Sequence, residues 1–329
     1  MIIGIHGILW AELPDYPQYR KFYRFFAVDK APLIDLKVSK TDSVLELEDS
    51  RKIGAYFLGE KAVLFNRKFG SILLKDIYGR TELVYSGIID RLYPVLNLVG
   101  NVIWFKLIPR NFTYVHAAAL SLRSNGLLLT GWPGSGKTMA TLVLIKNYGA
   151  SFLADDIAIV GINGYVYSNP IPLKLSKPHL KLVRKSLRDR LKLEIGTIVS
   201  KIPIIRRRVE VVSYTDFKSL FPDAQMVEKA RIDYVLVLRR AARNYLRGLE
   251  SKCVISMLLH QGFWERLFWI DRLFVQYSFT DSEFDIFHSV EKEREVLKHA
   301  LANAEFLEIG YHPYPEDGLK LALKELGLA

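Results

Sequence analysis

Residues 126–138 read Gly-Leu-Leu-Leu-Thr-Gly-Trp-Pro-Gly-Ser-Gly-Lys-Thr, an apolar run that leads directly into a glycine-rich segment. A short apolar run of this kind is typical of a strand buried on both faces. The segment after it has the spacing Gly-x-x-x-x-Gly-Lys-Thr, which is met by Gly131, Gly136, Lys137 and Thr138. Apolar residues at helical spacing follow from Thr138 to Asn147, and Gly149 stands where that helix would end. The stretch therefore predicts a strand, a phosphate-binding loop and a helix, and with them an α/β fold.

The residue types of this loop suit the phosphate chain of a nucleotide. Glycines permit backbone conformations in which successive N–H groups turn inward, and the start of the following helix adds the positive end of its dipole. Lys137 is expected to reach the β- and γ-phosphates, and the Thr138 hydroxyl to bind Mg²⁺. We predict that ATP and Mg²⁺ are held by six residues: Gly131, Gly134, Ser135, Gly136, Lys137 and Thr138.

An acidic pair, Asp155-Asp156, follows the predicted helix inside an otherwise apolar run over residues 151–160. This run and residues 165–167, joined by Asn163-Gly164, predict a hairpin with the pair on its first strand. Two carboxylates in apolar surroundings are costly unless a metal, a base or an ion pair uses them. Because phosphoryl transfer needs such groups for Mg²⁺ and for the nucleophile, both residues are candidate metal ligands and catalytic residues. The alternative is a pair that straddles the strand, with one residue solvated and the other capping a turn.

The order of these motifs resembles that of the HPr kinase/phosphorylase family and its HPr-kinase-related members, whose nucleotide fold is similar to that of phosphoenolpyruvate carboxykinase. The segments that carry the resemblance are His116-Ala117-Ala118, Leu128-Leu129-Thr130-Gly131, Gly134-Ser135-Gly136-Lys137-Thr138, Leu153-Ala154-Asp155-Asp156 and Asn169-Pro170-Ile171-Pro172-Leu173-Lys174-Leu175. The chain departs from true HPr kinases at Thr138-Met139, where they carry Ser-Glu, and it does not contain their downstream proline- and arginine-containing signature. It is therefore similar to the divergent relatives, whose acceptors are mostly unknown.

The resemblance implies a P-loop kinase that uses ATP and Mg²⁺ and transfers the γ-phosphoryl group to a hydroxyl acceptor, either a protein serine or a small metabolite. Lys137, Asp155 and Asp156 would be the catalytic residues. Thr138 would bind the metal together with the two aspartates, and which aspartate acts as the base stays open. His116 occupies the position of a histidine in the relatives and is a further candidate, although a lone histidine on an apolar strand can equally be a core residue. The alternative function is a nucleotide-binding regulatory or ATPase module without phosphoryl transfer to a substrate.

Three regions are expected along the chain. Residues 1–90 contain short alternating runs separated by glycines and charged turns, which predicts a β-rich N-terminal region. Residues 91–240 hold the motifs and are expected to form the P-loop nucleotide-binding kinase core, of the HPr kinase/PEP carboxykinase type. Residues 241–329 are expected to form a mainly helical C-terminal region.

Composition and hydropathy restrict the location of the protein. Cys253 is the one cysteine among 329 residues, which excludes an intramolecular disulfide and a cysteine-rich zinc site. The N-terminus shows no basic segment of the kind that begins a signal peptide. Residues 92–108 are the most apolar stretch, but polar residues interrupt it and it is shorter than the roughly 20 residues of a membrane span. We expect a cytoplasmic protein without a membrane partner.

The balance of charge indicates an anionic partner. The net charge of +11 and the isoelectric point near 9.5 would suit a nucleotide or another polyanion. Residues 174–192 predict a helix with a basic face, but no nucleic-acid motif accompanies it, so we expect a solvated face and no nucleic-acid partner. A nucleic-acid-associated ATPase is suggested by charge alone. The expected partners are a nucleotide and an unknown hydroxyl acceptor, and a homo-oligomer is left open.

Overall fold

The computed structural model describes residues 1–89, 95–183 and 213–329, with only the backbone of residues 264–271. This part of the chain is mixed α/β, as the sequence predicts. None of the helices in it combines the length and the apolar character needed to cross a membrane.

The strands are numbered in chain order. Their bounds are β1 Ile2–Ile5, β2 Leu9–Glu12, β3 Leu36–Thr41, β4 Arg51–Ile53, β5 Tyr56–Gly59, β6 Ala62–Arg67, β7 Gly70–Lys75, β8 Thr81–Ser86, β9 Phe112–Val115, β10 Ala117–Leu122, β11 Asn125–Thr130, β12 Ser151–Ala154, β13 Ala158–Gly161, β14 Tyr165–Tyr167, β15 Leu173–Leu175, β16 Ser213–Thr215, β17 Lys229–Arg240, β18 Tyr245–Gly248 and β19 Glu305–Tyr311.

The α-helices are numbered in the same way. Their bounds are α1 Pro17–Tyr23, α2 Val95–Leu107, α3 Lys137–Tyr148, α4 Phe217–Leu220, α5 Ser251–Tyr277, α6 Ile286–Ala300 and α7 Pro315–Glu325.

The chain divides into two compact units. The first comprises residues 1–113 and 259–298. Its eight-stranded sheet has the order β1-β2-β3-β8-β7-β6-β5-β4, in which β4 to β8 form an antiparallel meander. Buried aromatic rings from different segments of the unit meet beside the sheet, with 4.9 Å between the ring centres of Phe105 and Phe274. The Tyr277 hydroxyl accepts a 3.0 Å hydrogen bond from the backbone N–H of Ile77.

The second unit comprises residues 114–258 and 299–329 and contains the glycine-rich loop. Its sheet has β11, β17 and β19 side by side and parallel, with β10 and β12 continuing from β11 in antiparallel pairing. The carboxyl ends of the three parallel strands therefore meet at one edge of the sheet. A buried cluster of aliphatic side chains from these strands, α3 and α7 forms the core of this unit.

The predicted strand, loop and helix are all present. Strand β11 is buried from Gly126 to Thr130, and α3 begins at Lys137 directly after the loop. The helix ends as predicted at Gly149, which is left-handed with φ +68° and donates its N–H to the carbonyl groups of Ile145 and Leu144. Glycine adopts this left-handed conformation without strain because it has no Cβ. The position of the glycine in the sequence therefore determines where the helix ends.

The prediction that the acidic pair lies on a strand is wrong. Strand β12 ends at Ala154 and β13 begins at Ala158, so Asp155 and Asp156 lie in the break between them. The two strands have different partners, because β12 pairs with β10 whereas β13 pairs with β14. The backbone has to change direction between them, and Asp156 takes a φ of +146° there. The predicted hairpin is present as β13 and β14, without the pair.

The division into units differs from the three regions expected at residues 1–90, 91–240 and 241–329. Residues 259–298 belong with the N-terminal sheet, whereas β19 and α7 belong to the unit that contains the loop. Most of the C-terminal region is helical, but β19 pairs with β17 in the middle of the second unit. Of the basic run, Lys177–Lys181 forms a short 3₁₀ helix, and the part from residue 184 onward lies outside the described residues.

Candidate phosphate-binding site

The loop between β11 and α3 is held in a closed turn. The N–H of Ser135 donates to the carbonyl of Trp132 at 2.9 Å, and Gly131, Gly134 and Gly136 all have positive φ angles. At Gly131 a side chain is excluded by space as well as by conformation. A Cβ there would lie 2.6 Å from the carbonyl oxygen of Leu238 on β17. The loop therefore lies directly against the end of the neighbouring strand.

Lys137 is the first residue of α3 and points back into the loop. It is 8% exposed, and its ammonium group donates a 2.8 Å hydrogen bond to the carbonyl of Gly131. This contact closes the loop across its opening, from the first residue after the strand to the first residue of the helix. The ammonium and the N–H groups of the first helical turn thus belong to the same end of α3, which suits an anion.

Thr138 and Asp155 are joined directly. The Thr138 hydroxyl donates a 2.9 Å hydrogen bond to Oδ2 of Asp155. The other carboxylate oxygen, Oδ1, is buried and has no hydrogen bond of ordinary geometry to a described residue, and the same holds for the hydroxyl oxygen of Ser135 in the loop. Buried oxygens that lack a hydrogen bond of good geometry are costly, so a ligand that contacts them would be stabilising here.

The Asp155 carboxyl is strongly perturbed. Asp155 is 2% exposed. Its burial is the largest cause that raises the pKa of this carboxyl to about 7, and the neighbouring Asp156 carboxylate is the second. The hydroxyl groups of Thr138 and Thr141 and the charge of Lys137 act in the opposite direction. A cation placed beside Asp155 would stabilise its ionised form, so the site is suited to a divalent metal.

These residues fit Mg²⁺ without forming a complete cage. Within the described residues, no group of three or more histidine, cysteine or acidic side chains is arranged to hold a metal. Mg²⁺ is commonly held by one or two carboxylates together with phosphate oxygens and water, and it does not require such a cage. The Thr138 hydroxyl and the Asp155 carboxylate match that requirement.

Asp156 faces a different partner. Its side chain is 48% exposed, and its Oδ1 lies 3.5 Å from Nδ1 of His116, which is 7% exposed. His116 precedes β10, and its carbonyl accepts a 3.3 Å hydrogen bond from the Thr130 hydroxyl at the end of β11. The predicted residues are therefore brought together, with Asp155 inside the fold and Asp156 at its surface.

The structure adds two contacts that no local motif indicates. The Tyr311 hydroxyl, at the end of β19, donates a 2.8 Å hydrogen bond to the carbonyl of Ser135 in the loop. Pro315, at the start of α7, lies so close that a Cβ on Gly136 would be 2.7 Å from its Cγ. Tyr311 follows Ser135 by 176 residues, so only the pairing of β19 with β17 places it beside the loop.

No protein-family model matches the chain. No curated protein matches it either. Among solved structures, it is similar to the Hpr(Ser) kinase/phosphatase from Coxiella burnetii, with 10% sequence identity over 64% of this chain and 91% of that chain. The TM-score is 0.28, and a likeness at this level carries no argument about fold or function.

Proposed function

We propose that this chain is an ATP- and Mg²⁺-dependent kinase that transfers the γ-phosphoryl group to a hydroxyl acceptor, and that its second unit is a P-loop core of the HPr kinase/PEP carboxykinase type. The observation that carries the proposal is the 2.9 Å hydrogen bond from Thr138, directly after the loop, to the buried carboxylate of Asp155. A loop threonine and an acidic residue at the end of another strand are the pair that holds Mg²⁺ in P-loop enzymes.

The loop residues have the binding role. The N–H groups of Gly134, Ser135 and Gly136 and the ammonium of Lys137 would hold the phosphate chain. Thr138 and Asp155 would hold Mg²⁺, which would neutralise part of the negative charge of the phosphates. Lys137 already reaches across the loop to Gly131, so little movement is needed for its ammonium to meet a phosphate oxygen.

The two aspartates can be given different roles on the basis of burial. Asp155 is inside the fold and bonded to Thr138, which suits a metal ligand. Asp156 is half exposed and lies beside His116, which suits a group that meets an acceptor. In the transfer, the acceptor oxygen bonds to the γ-phosphorus, the bond to the β-phosphate oxygen breaks, and the hydroxyl proton passes to Asp156.

A phosphate-transfer screen tests the proposal. Protein with Mg²⁺ and γ-labelled ATP would be offered a panel of hydroxyl metabolites and a cell extract, with Lys137→Ala as the blank. We expect label on one acceptor with the native protein and none with the variant. Asp156→Asn is the matched variant, and we expect it to bind ATP and fail to transfer. Nucleotide binding with no transfer to any acceptor would contradict a kinase and indicate the regulatory or ATPase module.

A further inference from the structure

The end of β17 presents two consecutive arginines to opposite faces of the sheet. Arg239 belongs to the face that carries Glu308, and its guanidinium lies 3.7 Å from that carboxylate. Arg240 belongs to the other face, because successive side chains of a strand alternate. The buried residues on that face are Leu236 and Leu238, which pack in the cluster formed with α3. Arg240 is thus an exposed residue at the end of the sheet face on which α3 packs.

Arg240 is connected to the loop through Tyr311. The two residues are paired across the parallel strands β17 and β19, so their side chains lie on the same face. Nε of Arg240 lies 3.4 Å from the Tyr311 hydroxyl, which itself donates to the carbonyl of Ser135. The strand is close to the loop at this point, as shown by the 2.6 Å that would separate a Cβ on Gly131 from the carbonyl oxygen of Leu238.

The two arginines at the end of β17 differ in their ion pairs among the described residues. Within residues 1–89, 95–183 and 213–329, Arg239 and Arg247 both pair with Glu308, whereas Arg240 forms no ion pair. An exposed guanidinium that lies beside the glycine-rich loop suits a phosphate group as an additional acceptor.

We propose that Arg240 is a phosphate-binding residue of the nucleotide site, oriented by Tyr311; this rests on the proposed nucleotide function of the loop. Arginine supplies planar, charge-assisted hydrogen bonds to phosphate oxygens that a lysine reproduces only in part. Tyr311 is a positioning residue, because its hydroxyl contacts both the loop carbonyl and the guanidinium.

The test is calorimetric titration of the whole chain with MgATP and MgADP. We expect Arg240→Ala to weaken ATP binding by roughly 10- to 100-fold, as the loss of a charge-assisted hydrogen bond predicts, and Arg240→Lys to recover part of it. Arg239→Ala is the matched control, since it removes the same charge from the same strand on the opposite face; we expect a change within about twofold. Thermal unfolding of each variant checks that the fold is retained.

A double variant tests the role of Tyr311. Tyr311→Phe removes only the hydroxyl, and we expect it to weaken ATP binding, with Arg240→Ala adding little in the Tyr311→Phe background. The proposal would be overturned if Arg240→Ala and Arg239→Ala bind ATP with equal affinity, whether or not that affinity is lower than the native one. If the native chain binds ATP but transfers no phosphate, the proposed kinase function is contradicted, whereas the ATP affinities of the variants still test the role of Arg240. If it binds no nucleotide, both are overturned.

Discussion

The Thr138 hydroxyl and the Asp155 carboxylate are 2.9 Å apart, although 17 residues separate them in sequence. Thr138 is in the first turn of α3, and Asp155 follows the last residue of β12. The rest of α3 and strand β12 connect the two residues, and the buried face of the helix packs on the sheet that contains β12. The contact is therefore built by the packing of one helix on its own sheet, and it lies beside the glycine-rich loop.

Removing the hydroxyl of Thr138 should weaken the Mg²⁺-dependent binding of ATP. We expect Thr138→Ala to lower Mg²⁺-dependent ATP affinity by roughly tenfold, because one oxygen ligand and one hydrogen bond to Asp155 are lost. Thr138→Ser keeps the hydroxyl and is expected to stay close to the native affinity. Titrations with ATP in Mg²⁺ and in EDTA measure the difference. An equal loss in both variants would show that the hydroxyl has no role in binding.

The raised pKa of Asp155 makes stability depend on pH. The folded chain holds this proton more tightly than the unfolded chain, since the pKa rises from 3.8 to about 7. The free energy of unfolding should therefore fall as pH rises from about 4 to 7 and then level off. We expect Asp155→Asn to remove this component, which is at most roughly 4 kcal/mol. Urea unfolding at pH 5 and pH 8 measures it.

Asp156→Asn is the control for that experiment. Burial is the largest cause of the Asp155 shift and the Asp156 carboxylate is the second. Most of the pH dependence should thus remain in Asp156→Asn. If the pH dependence of the free energy of unfolding is unchanged in Asp155→Asn, another group is its cause.

The backbone at Asp156 should be strained, and glycine should relieve it. Its φ of +146° is rarely adopted by residues with a Cβ. Asp156→Gly and Asp156→Ala both remove the carboxylate beside His116, so their difference isolates the backbone. We expect the glycine variant to be more stable by about 1 kcal/mol, measured by urea unfolding. Equal stabilities would mean that the bend is not strained. Neither variant should transfer phosphate.

Two glycines of the loop form a matched pair. Gly134 and Gly136 have φ angles of +80° and +81°, but a Cβ on Gly134 meets nothing within 4 Å. A Cβ on Gly136 would lie 2.7 Å from Cγ of Pro315 and 3.0 Å from the Tyr311 hydroxyl oxygen.

Alanine substitutions at the two positions should therefore separate the cost of the left-handed backbone conformation from the cost of overpacking. Gly134→Ala is expected to cost about 1–2 kcal/mol through its left-handed conformation alone. Gly136→Ala should cost about 1–3 kcal/mol more, through overpacking, and should lower ATP affinity further because it displaces the Tyr311 contact with the loop. Urea unfolding and ATP titration measure both effects. Indistinguishable variants would show that Pro315 and Tyr311 yield without cost.

The sequence alone determined the local elements around the loop. The apolar run, the glycines and the residues at helical spacing predicted β11, the loop and α3, because each depends on interactions between residues close in the chain. Gly149 similarly marked the end of α3. The type and order of the candidate ligands were also local, which is why Lys137, Thr138 and the pair Asp155-Asp156 could be predicted from the sequence.

Only the tertiary structure decided which strands that are distant in sequence are neighbours. The acidic pair falls in a break because β12 pairs with β10, which precedes the loop in the chain, whereas β13 forms a hairpin with β14. The same holds for Arg240 and Tyr311, which come together only when β19 pairs with β17. Strand pairing over such separations depends on packing of the whole sheet, whereas a glycine loop or a helix end depends on its own few residues.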